Sequence, residues 1–522
     1  MIPQAMHTFL HERLPESAFQ NRLIVDGDLR YLEFGALDVE QLARLGIVAD
    51  SLGPRLVVAM WHDSAPLEIG GYLVVDNLAM GKPSMGGIRM LPDVIPAAIH
   101  NLARGMTLKN AAAQLPYGGG KSGIVAGRDL TAAEHTAVVR GFAQLIRRYT
   151  EVYLPGPDVG TNDADMKTVA IANGMDNALS KPVDVGGNRI DELGAAAGST
   201  IIALHELLQE MPRLRALPQF ADLQMPETAD LTLLIQGFGA VGAHAARILQ
   251  EMLPGARVTG VSDRLGYLYA AAGLPADALF TAWQENGLVT RPFFQQQLAA
   301  GDGADGTKYS TDPDDLLRES AFCLIPAAPI ANYLDTDPAT GPSMTTERMG
   351  RWRVVVEGAN TYSPDPARKA ARQRMEREVY RRRGVLIATD YLVNSGGVIF
   401  AAQEHLIKTP DHLRIPDEML GDAAAVDRWL ADHAAELAEL AQARLAAAID
   451  YRDRVIRRNM QELIDLLVSD ADMLPAEAAE QIAIRRIAAR ESDRLVADVM
   501  DPIPTLGLGC TLQEAAEVMI TA

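Results

Sequence analysis

The chain has 522 residues, 48% hydrophobic and 22% charged, enough for at least two domains with full cores. Its 48 basic and 68 acidic residues give a formal charge of −20, so the field of the whole protein repels nucleic acid and anionic membrane surfaces, and neither is an expected partner. Two cysteines, Cys323 and Cys510, offer neither a disulfide framework nor a thiolate metal site; no metal is expected, and a reducing cytoplasm is the expected setting. The start, Met1 to Arg13, carries an acid and histidines where a secretory signal needs a basic region and an apolar core. No stretch supplies the roughly 18 consecutive apolar residues of a membrane span.

From about residue 55 to 80, short apolar runs alternate with turns and predict strands of a first domain. Helical spacing follows at Val94 to Gln114 and at Ala132 to Arg148. Between these helices the stretch Met106 to Gly123 is otherwise uncharged, yet it holds Lys109 and, after three glycines, Lys121. Burial and a second ammonium both favour a neutral lysine, so such a pair can supply a general base and an anion clamp. Asp158 sits in a Pro- and Gly-rich turn that fixes its direction. The Pro-rich segment Leu217 to Thr228 marks a domain boundary.

Beyond the boundary, Asp230 to Leu249 reads as a short buried strand, a glycine turn and an apolar-faced helix. Gly237, Phe238, Gly239, Ala240, Val241 and Gly242 form a dinucleotide fingerprint in its proper setting. Gly237 makes the turn, Gly239 admits the pyrophosphate to the backbone and Gly242 permits close packing of helix on strand. A second strand, Ala256 to Asp263, ends in an acid about 20 residues on, where a ribose-binding carboxylate is expected. Asp263 favours NAD, and the neighbouring Arg264 keeps NADP or dual use open. Three further β-rich runs, Ser320–Pro326, Trp352–Glu357 and Gly384–Asp390, complete a doubly wound sheet whose ligands bind at the carboxyl ends of its strands. The loops there contain Ala327 and Asn360, expected to bind the cofactor, and Asn394. Gly301 to Gly306 reads as a surface loop, and the chain is helical from about residue 415.

Seven motifs occur in order: Gly86-Gly-Ile-Arg-Met90, Met106-Thr-Leu-Lys-Asn-Ala111, Pro116-Tyr-Gly-Gly-Gly-Lys121, Gly156-Pro-Asp158-Val-Gly-Thr161, the fingerprint, Glu357-Gly-Ala-Asn360 and Asn394-Ser-Gly-Gly397. From about residue 55 to 405 the chain resembles the glutamate/leucine/phenylalanine/valine dehydrogenase family. The resemblance implies reversible oxidative deamination of an amino acid to a 2-oxo acid and ammonia, in a cleft between a substrate domain and a Rossmann domain. It implies that Lys121 activates the attacking water, Asp158 shuttles protons at the amino nitrogen, and Lys109, with the backbone near Gly87, holds the α-carboxylate. Asn394 then lies near nicotinamide and substrate, and a homo-oligomer is expected.

Glutamate enzymes of the family carry a lysine just before Gly-Gly-Ile-Arg and a serine shortly after Asn-x-Gly-Gly. Here these positions are Met85 and Ala401, which removes both partners of a side-chain carboxylate and points to an apolar substrate side chain, with glutamate as the alternative. Residues before 55, within roughly 275 to 315 and after 405 receive no chemical role. A non-catalytic cofactor-binding regulator is the alternative of another class, and the presence of Lys109, Lys121 and Asp158 opposes it. The expected fold is therefore α/β. A substrate-binding and oligomerisation domain spans 1–215 and a Rossmann domain 216–395, and a helical C-terminal region, 396–522, returns to the first domain.

Overall fold

The computed structural model describes residues 1–188, 190, 193–300 and 306–500, so 301–305 of the expected surface loop and Cys510 lie outside the described residues. Two seven-stranded sheets organise the chain. The first contains β1 (Leu23–Asp26), β2 (Leu29–Gly35), β3 (Leu56–His62), β4 (Gly70–Asn77), β5 (Ser84–Leu91), β6 (Gly118–Val125) and β7 (Tyr153–Pro157), in the order β1-β2-β3-β4-β6-β5-β7. Strands β6, β5 and β7 run parallel, and their register sets Met85 opposite Gly119 and Leu154, and Gly87 opposite Gly156. All eight residues of β6 are buried. Its glycines are a packing requirement: a Cβ on Gly119 would lie 2.1–2.5 Å from Thr107, on the helix Pro96–Ala112 that carries Lys109. Bare backbone thus lets the Lys109 helix lie close against the Lys121 strand.

The second sheet contains β8 (Thr232–Gln236), β9 (Arg257–Asp263), β10 (Gly266–Ala270), β11 (Thr307–Ser310) and β12 (Cys323–Pro326). After the small ladder of β13 (Leu334–Asp335) and β14 (Met344–Thr345), it is completed by β15 (Val354–Val356) and β16 (Leu386–Ala388). Its order is β11-β10-β9-β8-β12-β15-β16, parallel from β9 to β16, with β10 and β11 as an antiparallel edge. Apolar cores cover both faces, one through Leu233, Ile235, Val354 and Val356, the other through Leu234, Leu324, Val355 and Ile387. This alternation is what a doubly wound sheet requires. The chain is thus a two-domain α/β protein with a Rossmann-like nucleotide domain.

Segments without an expected role become parts of these sheets. The helices Gln4–Arg13 and Glu16–Arg22 and strands β1 and β2 extend the first sheet, with Met6, Leu10 and Phe34 in its core. Residues 276–310 supply the helices Ala276–Asn286 and Thr290–Ala300 and the edge strand β11. At the C-terminal end, the long helix Ala434–Ser469 and the final helix Pro475–Met500 pack Ile456, Leu467 and Ile482 into the core that also holds Leu108 and Ala112 of the Lys109 helix. Among the described residues no helix is long and apolar enough to cross a membrane.

Candidate functional site

Lys121 projects from β6 and Asp158 follows β7; their Nζ and Oδ2 atoms lie 3.2 Å apart, with Lys121 buried. Arg89, from β5, donates through Nε to the same Asp158 oxygen at 2.8 Å. Arg89 belongs to the Gly86–Met90 motif but carries no assigned role in the sequence reading. Burial pulls the Lys121 ammonium below its ordinary range; Asp158 opposes this and Arg89 reinforces it. For Asp158, burial acts upward, but Lys121 and Arg89 outweigh it and hold the carboxyl below the usual value. Gly87 lies against this group, since a Cβ there would be 2.9 Å from the Asp158 Cβ.

Lys109 faces the same cleft from its helix and donates to Asn360 Oδ1 at 2.9 Å, a bond that crosses from the first domain to the second. Burial lowers its pKa to about 8; Asp390 opposes the shift and Lys121 adds to it. Asn394 Nδ2 reaches the same Asn360 oxygen at 3.2 Å and Gly358 O at 3.2 Å. Its Oδ1 is buried without a partner, an acceptor that a bound amide or amine would satisfy. Two buried carboxylates hold this loop. Glu357 accepts from Tyr333, Arg372 and Thr361, and Asp390 accepts from the backbone of Thr361 and Tyr362. Asp390 and Arg372 are not legible as site residues because the loop they hold, Glu357 to Tyr362, is distant from them in sequence.

The fingerprint forms the expected strand, turn and helix, β8 followed by Ala240–Met252. Gly237 has φ +97°, and a Cβ there would sit 2.5 Å from Ala328 N. A Cβ on Gly239 would meet nothing within 4 Å, and the helix that begins after it has no side-chain cap. That space above free N–H groups fits a pyrophosphate. Gly239 and Ala240 are exposed, Val241 is half-buried and Gly242 packs under the turn. Phe238 instead buries its ring in the core and donates its N–H to Ser262 O. Ala327 lies beside the turn, its N–H donating to Gln236 O at 2.7 Å.

Asp263 departs from the expected arrangement. Its two oxygens accept from Leu265 N, Val289 N, Thr290 N and Thr290 Oγ1 at 2.6–2.9 Å, which fills the acceptor sites of a carboxylate. It therefore anchors the start of the helix Thr290–Ala300, and a ribose hydroxyl reaches it only by displacing one of those donors. Arg264 beside it is exposed.

Met85 and Ala401 are both buried in one apolar cluster with Leu154, Leu179, Ala195 and Phe400. The buried ammonium of Lys181, next in chain after Ser180, is already engaged by Glu404 and Ala178 O.

A family model described as the dimerisation domain of Glu/Leu/Phe/Val dehydrogenases matches residues 60–173, and one for glutamate/leucine/phenylalanine/valine dehydrogenases matches residues 216–414. An NADP(+)-dependent glutamate dehydrogenase of Pyrobaculum calidifontis is 31% identical over 344 residues, 64% of this chain and 72% of that protein. An NAD-specific glutamate dehydrogenase of Staphylococcus aureus is 28% identical over 354 residues, 66% of this chain and 73% of that one. In fold, the chain is similar to a hetero-hexameric glutamate dehydrogenase of Thermus thermophilus in its leucine-bound form. The TM-score is 0.57 at 19% identity, covering 94% of this chain and 97% of that one. With both domains matched in order and the cleft residues between them, the chain belongs to the glutamate/leucine/phenylalanine/valine dehydrogenase family.

Proposed function

We propose that this chain catalyses the reversible NAD(P)-linked oxidative deamination of an L-amino acid to a 2-oxo acid and ammonia, and that Lys109, Lys121, Asp158 and Asn394 carry it. The observation that carries the proposal is the pairing of Lys121 with Asp158 at 3.2 Å on the wall that also presents Lys109, which reaches Asn360 on the other wall. Lys109 binds the α-carboxylate, and Asp158 takes a proton from the substrate ammonium. The bound dinucleotide supplies the acceptor for the Cα hydride. Lys121, kept towards its neutral form by burial, removes a proton from the water that attacks the imino carbon. Asp158 returns its proton to the departing nitrogen, so ammonia leaves as the carbonyl forms; the hydroxyl proton passes to bulk water, and the proton held by Lys121 follows it before the next cycle. The unpartnered Asn394 Oδ1 would accept an N–H from a bound dinucleotide or substrate. Both NAD and NADP fit this reading: relatives of each kind match the chain, and Asp263 is held by protein donors.

For the side chain, the relatives favour glutamate, since the matching sequences from Pyrobaculum and Staphylococcus are both named for it. A second reading, an apolar side chain, rests on Met85 and Ala401, whose own side chains offer a γ-carboxylate no hydrogen-bond donor. Leaving that carboxylate unpaired costs several kcal/mol, on the order of a hundredfold or more in kcat/KM. A homo-oligomer is part of the proposal, supported by the dimerisation-domain match over residues 60–173.

The test is NAD(P)H formation with L-glutamate, L-leucine, L-valine, L-phenylalanine and L-malate, repeated after Met85→Lys with Ala401→Ser and after Lys121→Ala. Turnover of an amino acid that Lys121→Ala abolishes supports the reaction; turnover of malate alone defeats it. Glutamate turnover by the unaltered chain supports the first reading of the pocket. Glutamate turnover appearing only after the paired substitution supports the second.

A further inference from the structure

The final helix, Pro475–Met500, lies against both domains at once. Arg486 donates through Nη1 to Ala112 O at 2.6 Å and to Asn459 Oδ1 at 2.9 Å, and through Nη2 to Glu462 Oε2 at 2.7 Å. Ala112 ends the Lys109 helix, so its carbonyl has no partner within that helix. Asn459 is fully buried on the long helix Ala434–Ser469, and its Nδ2 donates to Leu392 O at 3.1 Å, two residues before Asn394. Across the cleft, Lys109 of the helix that Ala112 ends meets Asn360, and Asn360 meets Asn394.

These bonds close a circuit. It runs from Lys109 through Asn360, Asn394 and the Leu392 backbone to Asn459, then through Arg486 to Ala112, one helical turn from Lys109. The helix end is further constrained at Gln114, a non-glycine residue at φ +54° whose carbonyl accepts from Tyr451 Oη at 2.8 Å. A second tie runs from the N-terminus of the final helix, where Ala476 N donates to Glu376 at 3.0 Å. Glu376 is held by Arg372, which also grips Glu357 at the head of the Asn360 loop.

We infer that Arg486 is a positioning residue: by fastening the end of the Lys109 helix to the Asn459–Leu392 segment, it sets the Lys109 ammonium against Asn360 and Asn394 across the cleft. Arg486 touches none of the reacting groups. Its effect reaches them because a helix shifted at its last turn carries Lys109 with it, and small misplacements of a binding group are expensive. The part of this inference read from turnover rests on the deamination proposed above; the part read from backbone exchange does not.

The full chain is compared with Arg486→Met, Arg486→Lys and Asn459→Ala by steady-state kinetics, dinucleotide titration, thermal unfolding and amide hydrogen exchange. Arg486→Met and Asn459→Ala are expected to raise the amino-acid KM about tenfold and to speed exchange over residues 106–115 and 388–396, with dinucleotide affinity and exchange in the rest of the chain unchanged. Arg486→Lys, which still places a donor near Ala112 O, is expected to recover most of the loss. Unchanged exchange in those two stretches overturns the inference. So does exchange that rises throughout the chain with a lowered unfolding midpoint, which would make the arginine a general support of the fold. If the unaltered chain turns over no amino acid, the proposed function fails, and the exchange pattern alone decides the role of Arg486.

Discussion

Lys109 and Lys121 share one cleft but need opposite protonation states. Lys121 must be neutral to take a proton from water, whereas Lys109 must be charged to hold a carboxylate. Burial lowers both, and for Lys109 it brings the pKa to about 8. A group with a lowered pKa is charged only below it, so carboxylate binding should be complete below about pH 8 and fade above it. Binding of a 2-oxo acid, followed by NADH fluorescence from pH 6.5 to 9.5, is therefore expected to weaken by about tenfold per unit once pH exceeds about 8. Constant affinity over that range would remove Lys109 as the carboxylate partner. Deamination itself moves the other way with pH at its acid limb, because proton removal by Lys121 requires the neutral amine.

Among the elements, the helix Thr290–Ala300 shows how an inserted segment is tied to the nucleotide fold. The Asp263 carboxylate caps it from outside, taking the N–H groups of Val289 and Thr290 and the Thr290 hydroxyl. Replacing Asp263 by Ala leaves those buried donors unmatched and should lower stability to urea by about 2–4 kcal/mol. An unchanged denaturation midpoint would mean that the helix start is held by other contacts. The sequence made the strand, the glycine turn and the terminal acid legible because each is a local pattern. It could not show what Asp263 binds, since Thr290 lies in an insertion with no motif of its own. The same distinction separates the cleft residues. Lys109 stands out as a charge in an otherwise uncharged stretch, and Lys121, Asp158 and Asn394 stand in short glycine-rich contexts, whereas Arg89, Asp390, Asn459 and Arg486 acquire their roles only from partners on other elements. Phe238 illustrates the limit inside a motif: its place in the fingerprint is readable, but its ring faces the core.

At the scale of the whole molecule, the cleft has two walls that belong to different sheets, and its ligands divide between them. The first domain presents Lys109, Lys121 and Asp158 to the amino acid, and the second presents the open fingerprint turn to the dinucleotide. Among the described residues, the bond from Lys109 to Asn360 and those through the C-terminal helices join one wall to the other, beside the apolar core that Leu108 and Ala112 share with Leu233 and Ile235. A ligand on either wall that favours this closed arrangement therefore prepares the other wall. NADH and a 2-oxo acid should consequently bind cooperatively, each tightening the other by about 5- to 150-fold, the usual range of 1–3 kcal/mol for coupled sites. Linkage requires the two factors to be equal, so calorimetric titration of each ligand with and without the other provides its own internal check. Independent binding would mean that the walls do not move relative to each other, and that Lys109 meets its carboxylate in a cleft already closed. With coupling present, Asn360→Ala should shrink it, read as a smaller ratio between each ligand's affinity with and without the other, because Asn360 carries the one bond in this set that runs directly from wall to wall.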